Sequence, residues 1–111
     1  MRAVVSKGGD SLAIESVPIP EPGRGEVRVR VSACGICGSD LHLLHAGFFA
    51  PGHVPGHEFA GVVEALGDGV CDVAVGTAVA VEPFRTCGDC PECHAGKDPL
   101  CTGARLLGVH E

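Results

Sequence analysis

The spacing Cys87-x2-Cys90-x2-Cys93-x7-Cys101 limits what this chain can fold into more than any other feature. Four thiolates in one short loop can close a tetrahedral structural zinc site. Gly88, Pro91 and Gly96 supply the turns that fold such a loop around one ion. Two disulfides are the competing reading. The chain has seven cysteines, an odd number, several in C-x-x-C spacings beside histidines. That pattern reads as metal binding in a reducing compartment. Asp89, Glu92 and Asp98 make the loop acidic, which argues against a nucleic-acid-binding zinc knuckle. His94 lies inside the loop, is not needed as a ligand, and is expected to be exposed.

A second constellation precedes it. Cys34-Gly-Ile-Cys37-Gly-Ser39-Asp40-Leu-His42 is followed by Gly56-His57-Glu58. Thiolate, imidazole and carboxylate are the ligands zinc takes, and too few are offered here for a closed cage. An open position for water or substrate is the mark of a catalytic zinc. Cys34, Cys37, His42, His57, Asp40 and Glu58 are all candidate donors on chemistry alone. Taken singly, each has a plainer reading as a buried thiol, a core histidine or a paired acid. Cys34 and Cys37 also have the spacing of a thioredoxin-type redox pair. That reading lacks a βαβ context, so Cys34 is expected to be a buried strand-end thiol and Cys71 a loop thiol without chemistry.

Between these motifs the chain reads as short strands. Arg2 to Ser6 and Leu12 to Val17 can pair as a hairpin about Gly8-Gly9-Asp10. Pro18 to Gly23 is a stiff, extended connector. Val27, Val29 and Val31 alternate with Arg28, Arg30 and Ser32, predicting a strand with one buried face that leads into Cys34 and Cys37. Ser39 is placed to cap a short helix through His45, ended by Gly47, with Ser39 and His42 on one face. After a Pro- and Gly-rich loop from Phe48 to Gly56, Phe59 to Leu66 and Thr77 to Val81 read as strands joined by Gly67-Asp68-Gly69. Phe48 and Phe49 either line a substrate pocket or pack in the core. His45, His53 and His110 have no assigned role. Many short strands with Gly-rich turns favour a mainly β fold built as a small barrel.

At 111 residues the chain is one domain, small enough for a structural metal to matter to its stability. A net charge of −6 without a basic stretch makes nucleic acid and anionic membranes poor partners. No signal peptide or membrane-spanning run is readable, and a cytoplasmic location is expected.

Cys-Gly-Ile-Cys-Gly-Ser-Asp-Leu-His, followed by Gly-His-Glu-Phe-Ala-Gly-Val-Val-Glu-Ala-Leu-Gly-Asp-Gly-Val, closely resembles the catalytic-zinc segment of zinc-dependent medium-chain alcohol and polyol dehydrogenases. Gly61, Gly67 and Val70 continue that family's Gly-His-Glu signature, and the four-cysteine spacing equals that of its structural-zinc lobe. The family's usual acid after Gly76 is replaced here by Thr77. The resemblance covers essentially the whole chain and implies the front part of an N-terminal GroES-like catalytic domain, residues 1–111, with a structural-zinc lobe at 87–101. It implies one structural zinc on Cys87, Cys90, Cys93 and Cys101, and one catalytic zinc on Cys37 and His57, with Glu58 as an adjacent or alternative ligand. Asp40 matches the acid that hydrogen-bonds the ligand histidine. Ser39 and His42 match a proton relay, in which a hydroxyl at the metal passes the alcohol proton to an imidazole near solvent.

The implied activity is oxidation of an alcohol, polyol or sugar acid by hydride transfer to NAD or NADP, in a homo-oligomeric parent enzyme. Leu106-Leu-Gly108-Val-His110 points toward the polyol and sugar-acid branch. No G-x-G-x-x-G dinucleotide fingerprint occurs in these residues. The expectation is therefore a fragment that lacks the Rossmann cofactor domain and the remaining catalytic-zinc ligand, and that is inactive alone. The alternative is a non-catalytic GroES-like zinc-binding module, against which the paired Ser39 and His42 argue.

Overall fold

The structure is a computed structural model that describes residues 1–110. Strands β1 (Arg2–Gly8) and β2 (Ser11–Ser16) form the hairpin expected around Gly9-Asp10. Strand β3 (Val27–Gly35) pairs antiparallel with β4 (Glu58–Leu66), and β4 pairs with β5 (Ala78–Ala80). Helix α1 (Gly38–His45) fills part of the connection between β3 and β4. Two short strands, β6 (Phe84–Arg85) and β7 (Arg105–Leu106), pair with each other and close off the four-cysteine segment. That segment carries a one-turn helix, α2 (Pro91–His94), and a 3-10 turn at Asp98–Leu100. The mainly β expectation holds. None of the described helices is long and apolar enough to cross a membrane.

The core is small. Among the described residues its buried apolar members are Val5, Phe49, Val63, Cys101 and Val109. The buried polar ones are Ser6, Asp40 on α1 and His57 of the Gly-His-Glu motif. A buried polar group costs free energy unless it is partnered, and Asp40 Oδ1 and His57 Nδ1, 3.1 Å apart, have no hydrogen bond to any other group among the described residues. Ser6, with no exposed surface, donates its hydroxyl to the Phe49 carbonyl at 3.1 Å and accepts from the Gly8 N–H at 3.1 Å.

Two expectations are corrected here. The valine face of β3 is not buried: Val27 is 37% and Val31 51% exposed. The β3–β4 register shifts between Arg28 and Val29 and again between Val31 and Ala33. Each shift breaks the strict alternation that would keep one set of side chains inward. Arg28 turns inward as far as the valines do, held at 2.8 Å by both Glu64 and Glu21. The second correction is Cys34, which is exposed rather than buried, because the end of β3 on which it sits is itself exposed. The turn at Val75-Gly76-Thr77 forms without the acid: Gly76 N–H reaches the Val63 carbonyl at 2.8 Å, and Val63 N–H reaches Thr77 at 2.9 Å.

Candidate metal centres

The four cysteines of the loop converge. Cys90 and Cys93 Sγ are 3.5 Å apart, Cys87 and Cys101 Sγ 3.5 Å, and Cys87 and Cys93 Sγ 4.0 Å. All four sulfurs lie within 4.8 Å of one another. Zinc bound to sulfur at ~2.3 Å in a tetrahedron sets its sulfurs about 3.8 Å apart. A disulfide needs about 2.0 Å. The observed spacing fits the ion and excludes the disulfides, and all four thiols are free.

Local structure makes the convergence. Cys90 precedes α2 with Pro91 as its first residue, a position where the missing N–H costs nothing. One turn later Cys93 comes back beside Cys90. The β6–β7 pair brings the two ends of the loop together, so that the Cys87 N–H points at Cys101 Sγ at 3.3 Å. The Cys87 thiol is lowered to about 7 by the backbone N–H groups of Asp89 and Cys90 and by its neighbour Cys101. Cys93 is pushed up to about 12 by desolvation and by the sulfur of Cys90. A divalent cation among these four sulfurs would favour the thiolate form of each. His94 is exposed, as expected.

The second group forms where β3, α1 and β4 meet. Cys37 Sγ, a ring nitrogen of His57 and a carboxylate oxygen of Glu58 lie within 4.8 Å of one another. Cys37 sits at the N-terminal boundary of α1, His57 is the last loop residue before β4, and Glu58 opens β4. This corrects the expected cap: Cys37, not Ser39, occupies that position, because Asp40 one turn on accepts the Cys37 N–H at 3.0 Å. The other oxygen of Asp40 stands 3.1 Å from His57 Nδ1. The alignment is imperfect for a hydrogen bond, yet neither atom has another partner among the described residues. They are therefore each other's partner. With Nδ1 turned to Asp40, Nε2 is the nitrogen left for a metal.

Glu58 pairs in register with Gly35. A side chain at Gly35 would come within 2.8 Å of the Glu58 carboxylate. The glycine gives that carboxylate its place, a role the sequence hid because Gly35 lies between two more conspicuous cysteines. Ser39 and His42 both lie on α1 and are exposed, three positions apart. Phe49 is buried at 2% exposure and takes the core reading, while Phe48 is 51% exposed.

A second feature escaped the sequence reading. The Gly108 carbonyl accepts from the Gly56 N–H at 3.3 Å and from His53 Nε2 at 3.2 Å. The turn after the four-cysteine loop is thereby docked on the residue just before His57. Three histidines without a motif gave no signal to separate His53 from His45 and His110.

Residues 23–109 match the family described as the alcohol dehydrogenase GroES-like domain. The chain is 46% identical to the starvation-sensing protein RspB of Escherichia coli K12, over 99% of this chain and 33% of that protein. It is 39% identical to an L-threonine 3-dehydrogenase of Bacillus subtilis, over 98% of this chain and 33% of that one. It superposes on the crystal structure of the alcohol dehydrogenase rspB of E. coli CFT073, complexed with NADH, with a TM-score of 0.90 and 44% identity. That match covers 99% of this chain and 32% of the other. The chain thus spans about a third of the length of the relatives it matches. With this match over most of its length, the chain belongs to the alcohol dehydrogenase GroES-like domain family.

Proposed function

We propose that residues 1–111 are the front part of the catalytic domain of a zinc-dependent dehydrogenase that oxidises the CH–OH group of an alcohol, polyol or sugar acid with NAD or NADP. The observation that carries this reading is the meeting of Cys37, His57 and Glu58 with Asp40 behind the imidazole. Three mixed donors held from behind fit an open, catalytic zinc, whereas four sulfurs fit a closed, structural one. In this reading Cys87, Cys90, Cys93 and Cys101 hold the structural zinc in the lobe 87–101.

When bound, the catalytic zinc supplies Lewis-acid polarisation of the substrate oxygen, and the nicotinamide accepts hydride. The chain's own residues do the rest. Asp40 fixes the His57 ring and, through the Cys37 N–H, the start of α1, so one carboxylate orients two donors. Ser39 takes the proton leaving the substrate hydroxyl, and His42 hands it to water. The exposure of both on one turn of α1 is consistent with a path to solvent. Two-thirds of the length of the relatives lies outside this chain, and in this reading the nicotinamide-binding domain and the homo-oligomer contacts belong to that part of the parent enzyme. A cytoplasmic location goes with this reading.

The test is reduction of NAD or NADP by the full-length enzyme over a panel of alcohols, polyols and sugar acids, with Cys37→Ser alongside. The expected result is turnover that Cys37→Ser abolishes while the four-sulfur zinc is retained. Turnover unaffected by Cys37→Ser would remove the catalytic assignment. Absence of turnover with every substrate class would favour a non-catalytic zinc-binding module.

A further inference from the structure

His53 lies in the loop between α1 and β4, and three separate parts of the fold converge on it. Its backbone is anchored to β1: the Ser6 N–H donates to the His53 carbonyl at 2.8 Å, and the Gly52 N–H donates to the Ser6 carbonyl at 2.8 Å. Its ring stacks on the buried Phe49, centroids 4.9 Å apart and planes 10° from parallel. Its Nε2 reaches the Gly108 carbonyl at 3.2 Å. A carbonyl only accepts, so Nε2 carries the hydrogen and the tautomer is set.

Gly108 belongs to a self-closed turn. Its Leu106 N–H donates to His110 Nδ1 at 3.0 Å, and the Leu106 carbonyl accepts from Val109 at 3.2 Å and His110 at 2.9 Å. Gly108 has φ +72° and lies so close to Gly56 that a Cβ would collide with the Gly56 carbonyl. Its own carbonyl also accepts the Gly56 N–H, at a long 3.3 Å. Gly56 directly precedes His57 and is itself at φ +118°. A glycine in that region has no steric preference to hold it there. The direction in which His57 leaves the loop therefore depends on what clamps Gly56.

We infer that His53 is a positioning residue for the second metal centre: its ring fixes the 106–110 turn against Gly56 and so aims the His57 imidazole at Cys37 and Glu58. Asp40 sets the rotation of the His57 ring from one side, and His53 sets its backbone from the other. This rests on the reading of Cys37, His57 and Glu58 as metal ligands. Loss of an outer contact of this kind weakens metal affinity by roughly 10–100-fold. His53 acts one step further out, so the expected loss is at the low end, about tenfold.

The probe is cobalt(II), titrated into the full-length protein with zinc already in the four-sulfur site and followed by the visible absorption of cobalt bound to thiolate and imidazole. His53→Leu keeps the apolar packing against Phe49 and loses the N–H. His53→Gln keeps an N–H that can reach the Gly108 carbonyl. The expected result is an affinity about tenfold weaker in His53→Leu, regained in His53→Gln, with zinc in the four-sulfur site unchanged in both. Equal affinity in His53→Leu and the unmodified chain overturns the inference and leaves the metal centre standing. So does failure of His53→Gln to regain affinity, or loss of the four-sulfur zinc in His53→Leu, which would make His53 general scaffold. If the unmodified chain takes up no cobalt, the reading of the centre itself is wrong and the inference falls with it.

Discussion

Asp40 is the residue that touches two of the proposed donors of the second centre. It is buried, and its two oxygens serve the Cys37 N–H and His57 Nδ1. Asp40→Ala leaves those two groups without their partner, at about 1–3 kcal/mol for each unsatisfied group. Metal affinity at this centre should fall by about 10–100-fold, since the imidazole loses the acceptor that fixes its tautomer. Cobalt titration beside a denaturant melt checks both effects, and a fall in stability with unchanged affinity would make Asp40 a helix cap only. Gly35→Ala should act on the same centre from the Glu58 side, by pushing that carboxylate off its place over the strand. Its signature is weaker metal binding with little change in melting, because the surface around Gly35 is exposed.

At the scale of elements, the four-cysteine loop and the β3–β4 pair are separate structural units. Cys90→Ser removes one sulfur of the four and should loosen residues 87–101 while β3, β4 and β5 persist, as amide exchange would show residue by residue. Uniform loss of protection would contradict it. Zinc held by this loop should also be acid-labile. Each thiol must shed its proton to ligate, so affinity is lost as pH falls; in the metal-free loop Cys87 has its pKa lowered to about 7, so below neutrality protons compete with zinc at all four sulfurs. Chelator-accessible zinc measured against pH should rise on acidification, and release that ignores pH would count against thiolate ligation.

Element by element, legibility followed the physics. The cysteine loop was readable because metal ligands must recur at short, fixed spacings, and the β1–β2 hairpin because its turn residues are local. The short pair β6–β7 was not, since two-residue strands carry no periodicity. The burial of β3 was misjudged for a related reason. A period-two pattern shows that a segment is a strand, but register shifts and what covers its face are decided by residues far away in sequence. The donors Cys37, His57 and Glu58 were legible as motifs, while their supports at Gly35, His53 and Gly108 were not, because each acts through a contact with a distant segment.

For the whole molecule, the proton path is a claim about the full-length enzyme. Ser39→Ala should lower turnover with little change in zinc content, and His42→Gln should be milder, because water can stand in for an imidazole at an exposed position. The pH profile of turnover checks the second. His42→Gln should weaken the pH dependence of turnover relative to the unmodified enzyme. Unchanged turnover in Ser39→Ala would take the relay out of the account.

Two metal centres of different character are proposed within this one small domain, one closed by four sulfurs and one open at Cys37, His57 and Glu58. Anomalous scattering at the zinc edge, from crystals of the zinc-loaded protein, tests this most directly. Two peaks are expected, one among the sulfurs of Cys87, Cys90, Cys93 and Cys101, and one between Cys37 Sγ, the His57 imidazole and the Glu58 carboxylate. A single peak in the cysteine loop, with the Cys37–His57–Glu58 position empty at saturating zinc, would contradict it.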